Sequence, residues 1–216
     1  MSHDGRRPKL RLYFFGRFRV QDAGNEPLAF TGKKGLAIIA YLTRCPGMTA
    51  TRERLADLLW SDSDGEHSRN SLRQTLSVLR HDLSSVGANI LHSNKDAIGV
   101  DAGSIDSDVA ILESVPSAHS VSQLEKAISV YAGPFLDGFF AGSGAFDDWV
   151  AAEREKFAVM LYRFVAVFAD GADKPLRKNA VQRGDEVVGL HAHVQESSDH
   201  VDYVVGVDGG KHKVSG

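Results

Sequence analysis

Residues 69–83 read RNSLRQTLSVLRHDL. Leu72, Leu76, Leu79 and Leu83 recur at the spacing of one helical face. At roughly 100° per residue, Asn70, Arg73, Gln74, Ser77 and His81 fall on the opposite face. That polar face has no carboxylate until Asp82. A solvated helix face usually mixes Glu with Lys. This one presents Arg, Asn and Gln, whose donors and acceptors match base edges in a DNA major groove. A basic surface helix with no partner would show the same pattern, so the neighbouring segments decide.

Upstream, LRLYFFG (10–16), FRVQ (18–21) and PLAF (27–30) read as short strands of an N-terminal antiparallel sheet, with a turn at Asp22–Asn25. KKGLAIIAYLTR (33–44) follows as a helix with Leu36, Ile39, Ala40 and Leu42 inward, ended by Pro46-Gly47. Thr49 or Thr51 caps a second helix over RERLADLLW (52–60), whose apolar side is Leu55, Leu58, Leu59 and Trp60. SDSDGEH (61–67) is a polar loop, and the third helix runs from about Ser68 to Ser85. NILHSNKDAIGV (89–100) predicts a hairpin turning at Ser93–Asp96. Sheet, three helices and hairpin together predict an α+β winged helix over residues 9–101, its third helix entering the major groove by its polar face.

After Val100 the pattern changes. SDVAILESV (107–115), SQLEKAISVYAG (122–133) and FDDWVAAEREKFAVMLYRFVAVFA (146–169) read as helices, with PFLDGFF as a Pro/Gly-punctuated connection. The last helix should bury Trp149, Phe157, Leu161, Phe164 and Val165, with Asp147 and Asp148 suiting its N-terminus. Residues 105–168 thus predict an all-α helical-hairpin module for protein contact. Residues 169–216 change character again: EVVGLHAHVQ and HVDYVVGVDGG alternate as a β-hairpin does, in a segment that could equally be a disordered end.

Charge divides along the same line. Residues 1–100 carry 15 Lys+Arg and 10 Asp+Glu, a net +5; the remainder carries 10 and 18, a net −8, which together give the −3 of the 216-residue chain. A basic first half suggests a polyanionic partner. The single cysteine, Cys45, excludes an intramolecular disulfide and a Cys-based zinc site. No signal peptide is expected at MSHDGRRPKL, and the apolar run 157–169 is too short to span a bilayer and contains Arg163. A cytoplasmic, nucleoid-associated location with no membrane partner is expected.

LRLYFFGRFRV, GKKGLAIIAYLTRCPGMTATRERLADLLW and SRNSLRQTLSVLRHDL, in this order, resemble the winged-helix domain of the SARP family (antibiotic regulatory proteins), which is similar to the OmpR-type winged helix. VYAGPFLDGFF followed by WVAAEREKF resembles the start of the bacterial transcriptional activator domain, and the whole resemblance covers about residues 9–165. It implies a tetratricopeptide-like helical module, which here departs from the family's pattern after about residue 166 and looks truncated. It also implies a transcriptional activator that binds direct repeats in double-stranded promoter DNA, as a homodimer there, and contacts RNA polymerase. No receiver domain is expected before the first strand.

By position the resemblance makes Arg69, Asn70, Arg73, Gln74, Ser77 and Arg80 the recognition set. Arg73 and Gln74 are the expected base readers, while Arg69 and Arg80 lie nearer the flank and suit phosphates. Ser61, Asp62, Ser63, Asp64, Gly65, Glu66 and His67 correspond to the loop that touches polymerase in OmpR-type regulators. His92, Asn94 and Lys95 stand at the wing tip and suit a backbone or minor-groove contact.

Gly32-Lys33-Lys34 is no phosphate loop, because Pro27 stands where the first glycine belongs and Lys34 where Ser/Thr belongs. Both lysines are expected to begin the first helix and touch DNA backbone. His191 and His193 share a face if the segment is a strand, with Asp199 and His200 nearby, but no third ligand stands at a familiar spacing, so no metal is expected. No nucleophile elbow, carboxylate pair or nucleotide fingerprint appears, so neither enzyme chemistry nor a cofactor is expected. A protein-interaction adaptor whose winged helix no longer binds DNA is the competing function.

Overall fold

The computed structural model describes residues 10–114 and 129–171 and four short strands between 193 and 211. Its elements are β1 (Leu10–Tyr13), β2 (Arg19–Asp22), α1 (Lys33–Arg44), β3 (Thr49–Thr51), α2 (Arg52–Leu59), α3 (Gly65–Ser85), β4 (Leu91–Ser93), β5 (Ala97–Val100), β6 (Ile105–Ser107), α4 (Asp108–Glu113) and α5 (Gly144–Gly171). The result is a mixed α+β fold with small sheets and several helices.

The first sheet has the order β2-β1-β6. β1 pairs antiparallel with β2 (Leu10↔Asp22 to Tyr13↔Arg19) and parallel with β6 (Leu10↔Ile105 to Leu12↔Ser107). PLAF is not its third strand. Pro27 has no N–H to give a ladder, and the segment makes only a bridge at Gln21↔Pro27 and one bond from Leu28 N–H to Val20 O, 2.9 Å. The other edge is taken by β6, whose sequence IDS is too short and polar to announce a strand. β1 also stops earlier than its aromatic run suggests. The N–H groups of Phe14 and Phe15 bond the buried Asp108 carboxylate at 2.9–3.0 Å instead of a neighbouring strand.

α1 buries Gly35 and everything from Ala37 to Leu42, while Leu36 is half-buried. Pro46–Met48 form a 3-10 turn with Gly47 at φ 62°, a left-handed backbone that glycine adopts without a Cβ clash. Thr51 caps α2 by accepting the Arg54 N–H (3.1 Å). The hairpin β4–β5 gains a third strand, β3, in the order β3-β5-β4. Gly99, in the centre, lets His92 and Thr49 cross it: a Cβ there would meet His92 Nε2 at 2.3 Å and Thr49 Oγ1 at 2.6 Å.

α5 begins two residues before Phe146 and buries Phe146, Val150, Phe157 and Leu161, with Trp149 and Phe164 half-buried; the side chain of Val165 lies outside the described residues. Of the helix expected at 122–133, residues 122–128 lie outside the described residues; 129 is helical, 130 is a turn, and 131–133 are not helical, so the helix ends before Tyr131. What the pattern did not show is where this second region sits. PFLDG lies along the end of β1, with Leu136 N–H on Phe14 O (2.8 Å), Gly16 N–H on Pro134 O (3.0 Å) and Asp137 N–H on Gly16 O (2.9 Å). Phe14 stacks on Phe135 (5.3 Å), and Phe15 meets Phe157 edge-on (5.1 Å) and Tyr131 (4.8 Å).

Two arginines complete this join. Arg44, at the end of α1, gives both terminal nitrogens to Glu113 (2.7 and 2.9 Å) and its Nε to Glu153 (2.8 Å). Arg154 bonds the carbonyls of Phe135 and Leu136 (2.7 and 2.8 Å). One continuous core therefore runs from the first sheet into α5.

Near the C-terminus β7 (His193–Ser197) pairs antiparallel with β8 (His200–Val204), followed by the two-residue strands β9 (Gly206–Val207) and β10 (Gly210–Lys211). His191 and Asp199 lie outside the described residues, and the register sets His193 opposite Val204, at the far end of the ladder from His200.

Candidate nucleic-acid interface

α3 starts earlier than the loop composition suggests, because Asp64 caps it. Its carboxylate accepts the N–H groups of Glu66 (3.2 Å) and His67 (2.9 Å) and lies 2.7 Å from His67 Nδ1. Backbone and side-chain bonds from His67 hold the Asp64 carboxyl below the ordinary aspartate range. Gly65, Glu66 and His67 are thus the first turn of the helix, and the free loop is Ser61–Asp64. All seven residues 61–67 are exposed.

Leu72, Leu76, Leu79 and Leu83, with Ser68, form the buried stripe, packed on α1 and α2. Gly35 of α1 faces Leu79, whose Cδ1 would be in ordinary contact, 3.5 Å, with a Cβ there. The opposite face is solvent-exposed at Arg69, Asn70, Arg73, Gln74, Ser77, Arg80 and His81. Arg73 donates to Asn70 Oδ1 (2.7 Å), one turn back. This bond orients the guanidinium and leaves the rest of its fork for another acceptor.

The hairpin β4–β5 is tied to α3 and to the start of α2. Arg80 donates to Ser93 Oγ (2.7 Å). Arg52 gives its backbone N–H to Asp96 O (2.9 Å) and its Nε to Asn94 O (3.2 Å). The turn itself is closed by Asn94, whose Oδ1 accepts the N–H groups of Asp96 (2.9 Å) and Ala97 (2.7 Å).

Between α3 and the hairpin runs an open groove of about 410 Å³. Its rim carries Arg52, Arg69, Arg73, Arg80 and Lys95, with Asn94, over a floor of Leu72 and Leu76. Five cations line it with no carboxylate among them. Such a trough focuses positive potential and suits a polyanionic strand.

The structure distributes the expected contact residues unevenly. Arg69, Arg73, Arg80, Asn94 and Lys95 meet at the groove, while Asn70, Gln74 and Ser77 continue the exposed face of α3. His92 is exposed but lies across Gly99 on the hairpin. Lys33 is exposed at the start of α1. Lys34 has an internal duty: its Nζ donates to Leu59 O (2.5 Å) and sits 4.5 Å over the Trp60 ring. Burial lowers its pKa, against the pull of Asp62.

Arg52 is the groove residue that sequence pattern missed. It follows the Thr51 cap at the first position of α2, and only the pairing of β3 with β5 brings it to the hairpin turn. Among the described residues no group of three or more His, Cys, Asp or Glu could hold a metal ion, and no helix is long and apolar enough to cross a membrane.

Comparison with known protein families gave no matching family, and comparison with curated proteins gave no matching relative. Among solved structures, the chain is similar to Mycobacterium tuberculosis EmbR, solved in complex with a low-affinity phosphopeptide: TM-score 0.58 at 19% identity, over 80% of this chain and 48% of that one. The likeness is one of fold, and the chain spans about half of EmbR's length.

Proposed function

We propose that the chain is a sequence-specific, double-stranded-DNA-binding transcriptional regulator of the SARP type. In this reading residues 9–101 are an OmpR-type winged helix with α3 as recognition helix and β4–β5 as wing, and residues 105–168 are the start of a bacterial transcriptional activator domain. The observation that carries it is the groove between α3 and the hairpin, five cations without a carboxylate, beside a face of Arg, Asn and Gln. Arg73 and Gln74 read bases; Arg69, Arg80, Arg52 and Lys95 take phosphates. The loop and first turn Ser61–His67 contact RNA polymerase, and two copies occupy direct repeats, making the protein an activator that works in the cytoplasm. The resemblance of the sequence and the likeness of fold to EmbR support the same assignment.

The test is a binding titration of the full chain against a duplex that it selects from a randomised pool, at several salt concentrations, with a scrambled duplex as control. If Arg52, Arg69, Arg80 and Lys95 each meet one phosphate, the log–log salt slope should be about −3 to −4. Arg73→Ala should cost about 1–3 kcal/mol of discrimination and relax specificity at one base position. No binding at low salt, where non-specific attraction is strongest, would refute the regulator reading and favour an adaptor.

A further inference from the structure

The turn between α2 and α3 is fastened from behind by a residue that the DNA-facing surface does not use. α2 has eight residues, and the carbonyls of its last turn need partners from outside the helix. Trp60 N–H takes Ala56 O (2.8 Å) and Lys34 Nζ takes Leu59 O (2.5 Å), both from within the helical triad. Leu58 O is served from the second region: Ser143 Oγ donates to it at 2.7 Å. Ser143 is 5% exposed, so water cannot readily replace its hydroxyl.

Ser143 is also where α5 begins. Its carbonyl accepts the Asp147 N–H (3.1 Å), the first bond of that helix. Its Oγ lies 3.5 Å from Ser61 Oγ, at the head of the exposed loop. A hydroxyl has one proton. With that of Ser143 on Leu58 O, Ser61 is the donor in this contact, in competition with its bond to Asp62 Oδ1 (3.3 Å). One buried side chain thus joins the end of α2, the start of the loop and the start of α5.

From this geometry we infer that Ser143 is a positioning residue for the Ser61–Asp64 loop and the helix turn after it, through which the second region sets transcriptional output without altering the DNA grip of α3. The inference rests on the reading of that loop as the polymerase contact. Lys34, which holds the adjacent carbonyl from α1, keeps the end of α2 in place when Ser143 is altered. The effect of losing the hydroxyl therefore falls on the loop and not on the packing of α3.

The test uses the full chain, a duplex selected from a randomised pool, and bacterial RNA polymerase holoenzyme transcribing a template that carries that site. Ser143→Ala should reduce transcript yield about threefold to tenfold, the span of one net hydrogen bond, with DNA affinity held within about twofold. Ser143→Thr, which keeps a hydroxyl, should restore output, and Ser61→Ala, at an exposed position, should lower it to a smaller degree. Asp62→Ala with Glu66→Ala should also lose output, and adding Ser143→Ala should cost little more.

Loop variants that transcribe like the wild type would sink the polymerase reading and this inference with it. Loop variants that fail while Ser143→Ala transcribes normally would leave the polymerase reading standing and overturn the role of Ser143. Equal losses of DNA affinity and output in Ser143→Ala, or an unfolded Ser143→Ala beside an inactive, folded Ser143→Thr, would mark Ser143 as general structural support and likewise overturn it.

Discussion

Replacing Phe135 by alanine should destabilise the first sheet and helical triad as much as the second region. Phe135 is fully buried between Phe14 (ring centroids 5.3 Å), Phe157 (5.3 Å) and Trp149 (5.8 Å), so its loss opens a cavity bordered by both parts. A buried Phe→Ala change costs about 3–5 kcal/mol, against a total of about 5–15 kcal/mol for a typical domain. At a urea dependence of about 2 kcal/mol per molar, the midpoint should fall by about 1.5–2.5 M. The chain holds two tryptophans, and they divide conveniently: Trp60 closes α2 and Trp149 lies in α5. Trp149→Phe and Trp60→Phe backgrounds therefore each leave one fluorescence reporter. Both reporters should melt together, and Phe135→Ala should move both midpoints equally within its own background. A Trp60 reporter that keeps its midpoint while Trp149 moves would refute the shared core and indicate a first domain that folds alone.

Three further expectations follow from individual contacts. Gly99→Ala places a Cβ 2.3 Å from His92 Nε2 and 2.6 Å from Thr49 Oγ1; thermal unfolding should show a loss of about 1–3 kcal/mol, partly relieved by adding His92→Ala. Asp108→Asn should cost about 2–3 kcal/mol in chemical denaturation, because its carboxylate accepts from Phe14, Phe15 and Val109 and an amide turned either way aims its NH₂ at a backbone N–H. For Glu113, burial alone would raise the carboxyl, but the paired Arg44 guanidinium holds it below the ordinary glutamate range. A depressed folded-state pKa contributes stability above the unfolded value and loses it as pH falls through the folded one. The wild-type advantage over Arg44→Met should therefore be full at neutral pH and shrink below about pH 4.5; an advantage that stays constant down to strong acid would contradict the pairing.

Local pattern revealed local structure. α1 occupies KKGLAIIAYLTR as its periodicity predicts, and the α3 stripe of Leu72, Leu76, Leu79 and Leu83 is buried as spaced. The hairpin turn at Asn94 was legible because Asn closes such turns with its own side chain. Misplaced elements were those decided by partners distant in sequence. β6 is a strand because β1 offers an edge 95 residues earlier in register, Leu10↔Ile105, and PLAF fails as one because Pro27 has no N–H. The α3 start shifted because composition marks 61–67 as polar without showing which carboxylate caps the helix; Asp64 does. In the candidate interface the α3 residues were visible from face and charge, whereas Arg52 required the β3–β5 pairing. The internal bond of Lys34 was not legible because nothing local shows that Leu59 O needs a donor.

The same long-range packing constrains how a second region could govern the first. If the two were beads on a linker, control could come from undocking. Here undocking would expose Phe14, Phe15 and Phe135 and strand Glu113 and Glu153 without Arg44. Burying each side chain of that size is worth about 1.5–3 kcal/mol; the part-exposed Arg44 pairs add less, because undocking returns their charges to water. Together these approach the stability of the whole fold, so complete separation amounts to unfolding. Any signal from the second region must therefore travel by small displacements inside an intact core. The hydroxyl of Ser143 is suited to that task. It is a single bond at the boundary, its loss leaves the aromatic packing in place, and it ends on the backbone of the last turn of α2, beside the loop that leads into α3.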